Sequence, residues 1–181
     1  MTGEAATASQ TIGPFWHLLE DEGWSDLTRF GATGPRMVLT GTVTDGDAVP
    51  ITDACIELWQ PVPERSATWD GFGRSGTDAE GRYRFVTLRP GPVPGAPGAN
   101  APQAPHMALT VFARGLLIHL HTRAYLKGEP LNDQDPLLAS LDPARRATLI
   151  ARPAGEEADG TPVWRLDIRL QGEGETVFLD I

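Results

Sequence analysis

Short runs of β-forming residues, each cut off by a turn signal, recur along this chain from residue 37 onward, and they set the fold class. MVLTGTVT (37–44) alternates loosely and stops at Asp45-Gly46. ACIELWQP (54–61) stops at a proline. GTDAEGRYRFVTL (76–88) is a turn followed by an alternating run, with Tyr83 and Phe85 pointing one way and Arg82, Arg84 and Val86 the other. PHMALTVFA (105–113) and GLLIHLHTRAYL (115–126) meet near Arg114-Gly115, and VWRLDIRLQ (163–171) and ETVFLDI (175–181) close the chain. One short helix stands out: Asp142 as N-cap, Pro143 at the first helical position, then ARRATLIA (144–151). The expectation is a mainly β protein, an antiparallel β-sandwich core with long irregular loops and one or two short helices.

At 181 residues the chain is expected to form a single domain over 1–181, with an N-terminal arm at about 1–36. Two segments interrupt the pattern. QPVPERSATWDGFGRS (60–75) has no periodicity, and the stretch 89–105 contains six prolines. The second reads as a linker or as a long surface loop. The loop is preferred, because neither half would make a comfortable domain alone, and long loops in compact domains are often functional. The formal net charge of −9 argues against nucleic acid or an anionic membrane surface as partner. The one cysteine, Cys55, permits no intrachain disulfide, and a cytoplasmic, reducing location is expected. MTGEAATASQ lacks the basic and apolar regions of a signal peptide. No later run approaches the ~18 apolar residues of a membrane span.

Three of the four histidines fall within 104–126, and histidine is the commonest metal-ligating side chain. His119 and His121 are two apart, so on a strand they share a face and could form a metal pair. Arg123 continues that face, and no thiolate or carboxylate stands nearby to offset a second cation. The alternative is a polar strip at a sheet edge or subunit contact. His106 opens a strand after the proline-rich stretch, a position from which side chains reach into clefts, but its i+2 neighbour Ala108 cannot ligate. His17 follows Phe15-Trp16 and reads as packing or a surface contact.

SQTIGPF (9–15), GTDAEGRYRFVTLRPG (76–91), APHMALTVFARGLLIHLHTRAYL (104–126), RRATLIA (145–151) and LDIRLQGEGETVFLDI (166–181) together resemble the intradiol ring-cleaving dioxygenases. FARG, IHLHTR and the closing QGEGETVF narrow the resemblance to the alpha-type subunit of the family's two-chain members. It runs from about residue 7 to the C-terminus. It implies a β-sandwich core and an obligate beta subunit, in a hetero-oligomer of alpha–beta units. The reaction it implies is the O2-dependent opening of 3,4-dihydroxybenzoate to 3-carboxy-cis,cis-muconate in aromatic catabolism.

In the family's catalytic subunit, non-haem Fe(III) is held by two tyrosines and two histidines, and this chain departs from that pattern. Where the family has Trp-Arg-Pro-Ala-His-Ile-His, this chain has Pro102-Gln103-Ala104-Pro105-His106-Met107-Ala108. His106 keeps one ligand position, Ala108 replaces the other, and Gln103 replaces a substrate-supporting arginine. The ligand tyrosine of Gly-Pro-Tyr-Pro-Trp is Val93, and the second tyrosine belongs in 60–75, which has none. Phenolate donors suit Fe(III), so their loss is decisive. The resemblance therefore implies vestigial positions at Val93, His106 and Ala108, no metal and no catalytic residue in this chain alone, and Fe(III) ligated by the beta subunit. A relocated site using Tyr83 or Tyr125 with His119 and His121 is disfavoured, since such sites need several converging ligands. The substrate-binding candidates are Thr11, Gly13 and Pro14 in the arm, which could approach a flat ring closely, and Arg114, whose guanidinium fits a carboxylate. Against these stand plainer readings, the arm as a tether to the partner and Arg114 as an interface ion pair.

Overall fold

The computed structural model describes residues 7–60, 71–93 and 102–180. In chain order the strands are β1 (Arg36–Thr44), β2 (Cys55–Trp59), β3 (Phe72–Gly76), β4 (Arg82–Leu88), β5 (His106–Phe112), β6 (Leu120–Leu126), β7 (Ile150–Glu156), β8 (Pro162–Arg165) and β9 (Ile168–Arg169). Two short helices, α1 (Pro136–Ala139) and α2 (Pro143–Ala147), lie between β6 and β7. The strands follow one path, β3-β2-β5-β6-β7-β8-β1-β4, with β9 added to β1. The antiparallel expectation describes the hairpins. Three further pairings, β1 with β8, β1 with β9 and β6 with β7, are parallel, so the sheet is mixed.

β7 joins the two leaves. Its start pairs with β6 through Tyr125↔Ile150 and Leu126↔Ala151, and its later part pairs with β8 through Arg152↔Arg165 and Pro153↔Trp164. The register slips between Pro153 and Glu156, where Gly155 takes φ +106°. A proline without an amide and a glycine in the left-handed region suit such a bulge. On the far side the Arg84 amide of β4 donates to Ser75 Oγ of β3 at 3.1 Å.

Alternation fills the core from both leaves. Leu39, Val43, Tyr83 and Phe85 on one side meet Ile56, Leu58, Met107, Leu109 and Val111 on the other. Tyr83 and Phe85 face inward with ring centroids 6.0 Å apart, while Arg82 and Arg84 are exposed, as their spacing predicts. A second cluster, Ala104, Tyr125, Leu138, Leu149 and Val177, lies at the β5–β6 end of the fold beside α1. Asp135, fully buried, holds it together: its carboxylate accepts from the amides of Ala104, Leu137 and Leu138 and from Tyr125 Oη.

Local departures from the sequence reading have local causes. β3 arises within the stretch read as irregular, because its Gly73 and Gly76 carry no side-chain pattern; Leu27 and Trp24 crowd the missing Cβ of Gly73. The run 115–126 becomes strand only from Leu120, after a turn in which Leu116 donates to Ala113 and Gly115 takes φ +92°. The helix after Asp142 stops at Ala147, and Ile150 already belongs to β7. The run 163–171 breaks at Leu166-Asp167, and 175–180 contributes a single bridge, His121↔Leu179. Most of the two irregular segments, 61–70 and 94–101, lies outside the described residues.

Gly41 marks the tightest approach. A Cβ there would sit 1.7 Å from the Leu166 carbonyl oxygen, which also accepts from buried Tyr83 Oη at 2.7 Å. Gly41→Ala is expected to lower stability by about 3 kcal/mol or prevent folding, since backbone must move to admit the methyl. Urea denaturation of the variant beside the parent checks this, and an unchanged midpoint would refute it.

Candidate functional site

The chain's candidate residues gather at two opposite ends of β5. His106 opens the strand and Phe112 ends it, six residue steps or roughly 20 Å apart at about 3.3 Å per residue. Arg114 lies two residues beyond Phe112.

The His106 end contains the vestigial positions. Val93 and Gln103 are hydrogen-bonded to each other through both backbone pairs, at 3.2 and 2.9 Å. Across β5–β6, His106 faces Tyr125 and Ala108 faces Arg123. His106 does not reach into a cleft. It is buried, its ring 5.2 Å from that of Tyr125, and its Nδ1–H donates to the Ala104 carbonyl at 2.8 Å. Burial lowers its pKa, so the ring is neutral, with its lone pair on Nε2. Tyr125 Oη donates to Asp135 at 3.2 Å and accepts from Arg123 Nη1 at 3.1 Å. Burial pushes its phenol up to about 12, so it is no ready phenolate.

The relocated metal site fails on distance and burial. Tyr83 is fully buried in the core, where desolvation raises its pKa far above the ordinary range. His121 stands four residues from Tyr125 along β6, roughly 13 Å away. His119 and His121 do share a face, with ring centroids 4.6 Å apart and nearly perpendicular. Thr110 Oγ1 lies 3.2 Å from His121 Nδ1, and Phe112 packs on His119 at 5.2 Å. Among the described residues no three His, Cys, Asp or Glu side chains converge on a metal position.

The other end carries the arm. Thr11 Oγ1 donates to the Ala113 carbonyl at 3.3 Å and accepts from the Gly115 amide at 3.2 Å, so one hydroxyl brackets Arg114. Arg114 Nε pairs with Asp53 Oδ2 at 3.1 Å, its side chain 65% exposed. The Asp53 carbonyl accepts from Trp16 Nε1 at 3.0 Å, and Glu20 accepts from the Gly76 amide at 2.6 Å. Gly13, at φ +75°, turns the chain before Pro14 in a place open to a Cβ, so its need for glycine is conformational. Thr11 and Arg114 are thus brought together, with Gly13 and Pro14 following directly. Asp53 was not singled out in the sequence; only the fold brings it to Arg114. Exposed apolar side chains surround this end: Phe15, Leu18, Leu19, Leu117 and Ile118. Between Ile12 and Leu116–His119 lies a cleft of about 200 Å³.

Residues 25–172 match the family model described as Dioxygenase. The chain is 39% identical to the protocatechuate 3,4-dioxygenase alpha chain of Pseudomonas putida, over 96% of each chain. The chain belongs to the intradiol dioxygenase family. It is also 36% identical to the beta chain of that enzyme from Burkholderia cepacia, over 80% of this chain and 66% of that one. The dioxygenase domain of a carbohydrate-binding fusion from Streptomyces sp. SirexAA-E shares the fold, with a TM-score of 0.62 at 22% identity over 95% of this chain and 96% of the other.

Intradiol dioxygenases use non-haem Fe(III), and the described residues of this chain do not fit that ion. One imidazole lone pair, an alanine and a valine stand at the matching positions, and the adjacent phenol is committed to Asp135 and Arg123. Hard anionic donors are missing where a ferric centre needs them. The isolated chain is expected to carry well under one iron per chain and to lack tyrosinate–Fe(III) absorption in the visible. Metal analysis and a visible spectrum check this. Stoichiometric ferric iron that disappears in Tyr125→Phe would overturn it.

Proposed function

We propose that this chain is the alpha-type, non-iron-ligating subunit of a protocatechuate 3,4-dioxygenase. Paired with a beta subunit that ligates Fe(III), it takes part in cleaving 3,4-dihydroxybenzoate with O2 to 3-carboxy-cis,cis-muconate, in the cytoplasm, as part of aromatic catabolism. Its own contribution is one wall of the substrate pocket, built from Thr11, Gly13, Pro14 and Arg114.

The separation of the two ends carries this reading. The arm and Arg114 lie about 20 Å or more from His106. They cannot line a pocket centred on this chain's own vestigial positions. A substrate they touch must be held by another chain. The exposed apolar group around Phe15, Leu18, Leu117 and Ile118 gives that chain a place to rest. Similarity to both alpha and beta chains supports pairing of two related sandwiches. Among the described residues no helix is long and apolar enough to cross a membrane.

Arg114 supplies a carboxylate partner at low cost. The Arg114 side chain is 65% exposed and the Asp53 side chain 16%, so water screens the pair from the arginine side and weakens it. A substrate carboxylate can share or replace that contact. A second reading, a purely structural assembly subunit without substrate contact, draws on the same ion pair, which would then serve only to fix the turn.

Arg114→Ala separates the two readings. In the alpha–beta complex it is expected to lower kcat/KM for protocatechuate by roughly 10–100-fold, the worth of a charge-assisted hydrogen bond. The loss should fall on KM, because carboxylate binding is alike in ground and transition states. Catechol, without the carboxylate, should lose far less, and iron content should be unchanged. Equal losses for both substrates would return Arg114 to a structural role. For the contact itself, Leu117→Asp combined with Ile118→Asp is expected to weaken association with the beta subunit at least about tenfold, since burying an unpaired charge costs more than a kcal/mol. Analytical ultracentrifugation of the mixed chains measures it, and undiminished association would place the interface elsewhere.

A further inference from the structure

A cleft of about 410 Å³ lies between α2, the end of β6 and the start of β7. Its size falls in the range of small-molecule sites, about 300–1,000 Å³. Lys127, Arg146 and Arg152 line it together with Pro143, Ala147 and Ile150, and no carboxylate is among its lining residues. In a chain with 24 acidic and 15 basic side chains, three cations on one hollow run against the composition. Neighbouring acids do not cancel them. Arg146 Nη2 pairs with Asp133 at 2.7 Å, but the Asp133 side chain is 84% exposed, and the same nitrogen also donates to the Asn132 carbonyl at 3.2 Å. Glu129, two residues beyond Lys127, pairs with Arg89 instead. Lys127 and Arg152 form no ion pair among the described residues. Arg152 also stands directly opposite Arg165 of β8, a like-charge pairing that disfavours the strand contact.

Three cations against one exposed carboxylate leave two positive charges uncompensated. From this arrangement we infer that the cleft is a binding site for a phosphate ester with a compact apolar body. A phosphoryl group carries roughly −1.5 to −2 charge at pH 7 and three acceptor oxygens. That charge matches the surplus, whereas a monoanion leaves part of it unmet. The planar guanidinium groups of Arg146 and Arg152 suit paired phosphate oxygens, and Lys127 adds a point charge. A free phosphate ion would fill only part of the hollow. Pro143, Ala147 and Ile150 then receive the apolar part of the ester. None of the lining residues belongs to the arm or is Arg114, and the inference does not rest on the catalytic reading.

The test titrates phenyl phosphate into the full-length chain at low ionic strength, followed by isothermal calorimetry. Saturable binding of one probe per chain is expected. Benzenesulfonate, with the same ring and a single charge, should bind about tenfold more weakly, the scale of one charge-assisted hydrogen bond. Inorganic phosphate should also bind more weakly, for want of the apolar contact. Arg152→Gln and Lys127→Gln, at exposed side chains without ion pairs, are each expected to weaken phenyl phosphate about tenfold or more. Ala147→Trp fills the hollow without removing a charge, and it should abolish binding. Arg114→Ala should leave the affinity unchanged, which keeps the result distinct from the substrate-pocket test. Absence of saturable binding, as when another segment of this chain fills the cleft, would overturn the inference. So would equal affinity for phenyl phosphate and benzenesulfonate, or binding indifferent to Arg152→Gln and Lys127→Gln.

Discussion

The backbone of β7 is hydrogen-bonded to β6 at its start and to β8 further on, so one strand belongs to both leaves of the fold. Every other cross-leaf relation follows from that crossing. Facing leaves bury alternate residues of β1 and β4 against those of β2 and β5. The bend itself rests on Pro153, which has no amide to leave unpaired, and on the left-handed Gly155. Parallel entry of β7 beside β6 also requires a long connection, and α1, α2 and the buried Asp135 are built into it.

Much of this was legible in the chain. Alternation placed β1, β4 and β5 within a residue or two, and Tyr83 and Phe85 faced inward as their period demanded. Asp142 capped its helix through the amides of Ala144 and Arg145, and Asp78 held the GTDAEG turn through those of Glu80 and Arg82. Glycine hid what alternation could not express. β3 has glycine at two of its five positions, and its pairing with β2 is fixed by backbone and by Trp59–Phe72 packing instead. At Asp45-Gly46 the sequence signalled the turn, but the left-handed residue is Ala48, held there as Asp45 accepts from the amides of Asp47 and Val49.

The candidate residues were legible one by one, but their grouping was not. Spacing alone put His106, His119, His121 and Arg114 in one stretch of sequence. The extended backbone of β5 pulls that stretch out until its ends cannot share a ligand. Asp53, the ion-pair partner of Arg114, lies 61 residues upstream and gives no local signal. Asp135 was likewise invisible, although its carboxylate organises the whole His106 end. Long-range partners of this kind emerge only when strands are paired.

Thr11 grips the turn on both sides of residue 114 with a single hydroxyl. The arm and the turn that carries the guanidinium are therefore not two independently wandering groups. Fixing either removes rotational freedom from the other, so a neighbouring chain that clamps the arm orients the cation in the same event. The conformational entropy lost on contact is then that of one unit, and on the proposed role of Arg114 a substrate carboxylate would find its counter-charge already in place.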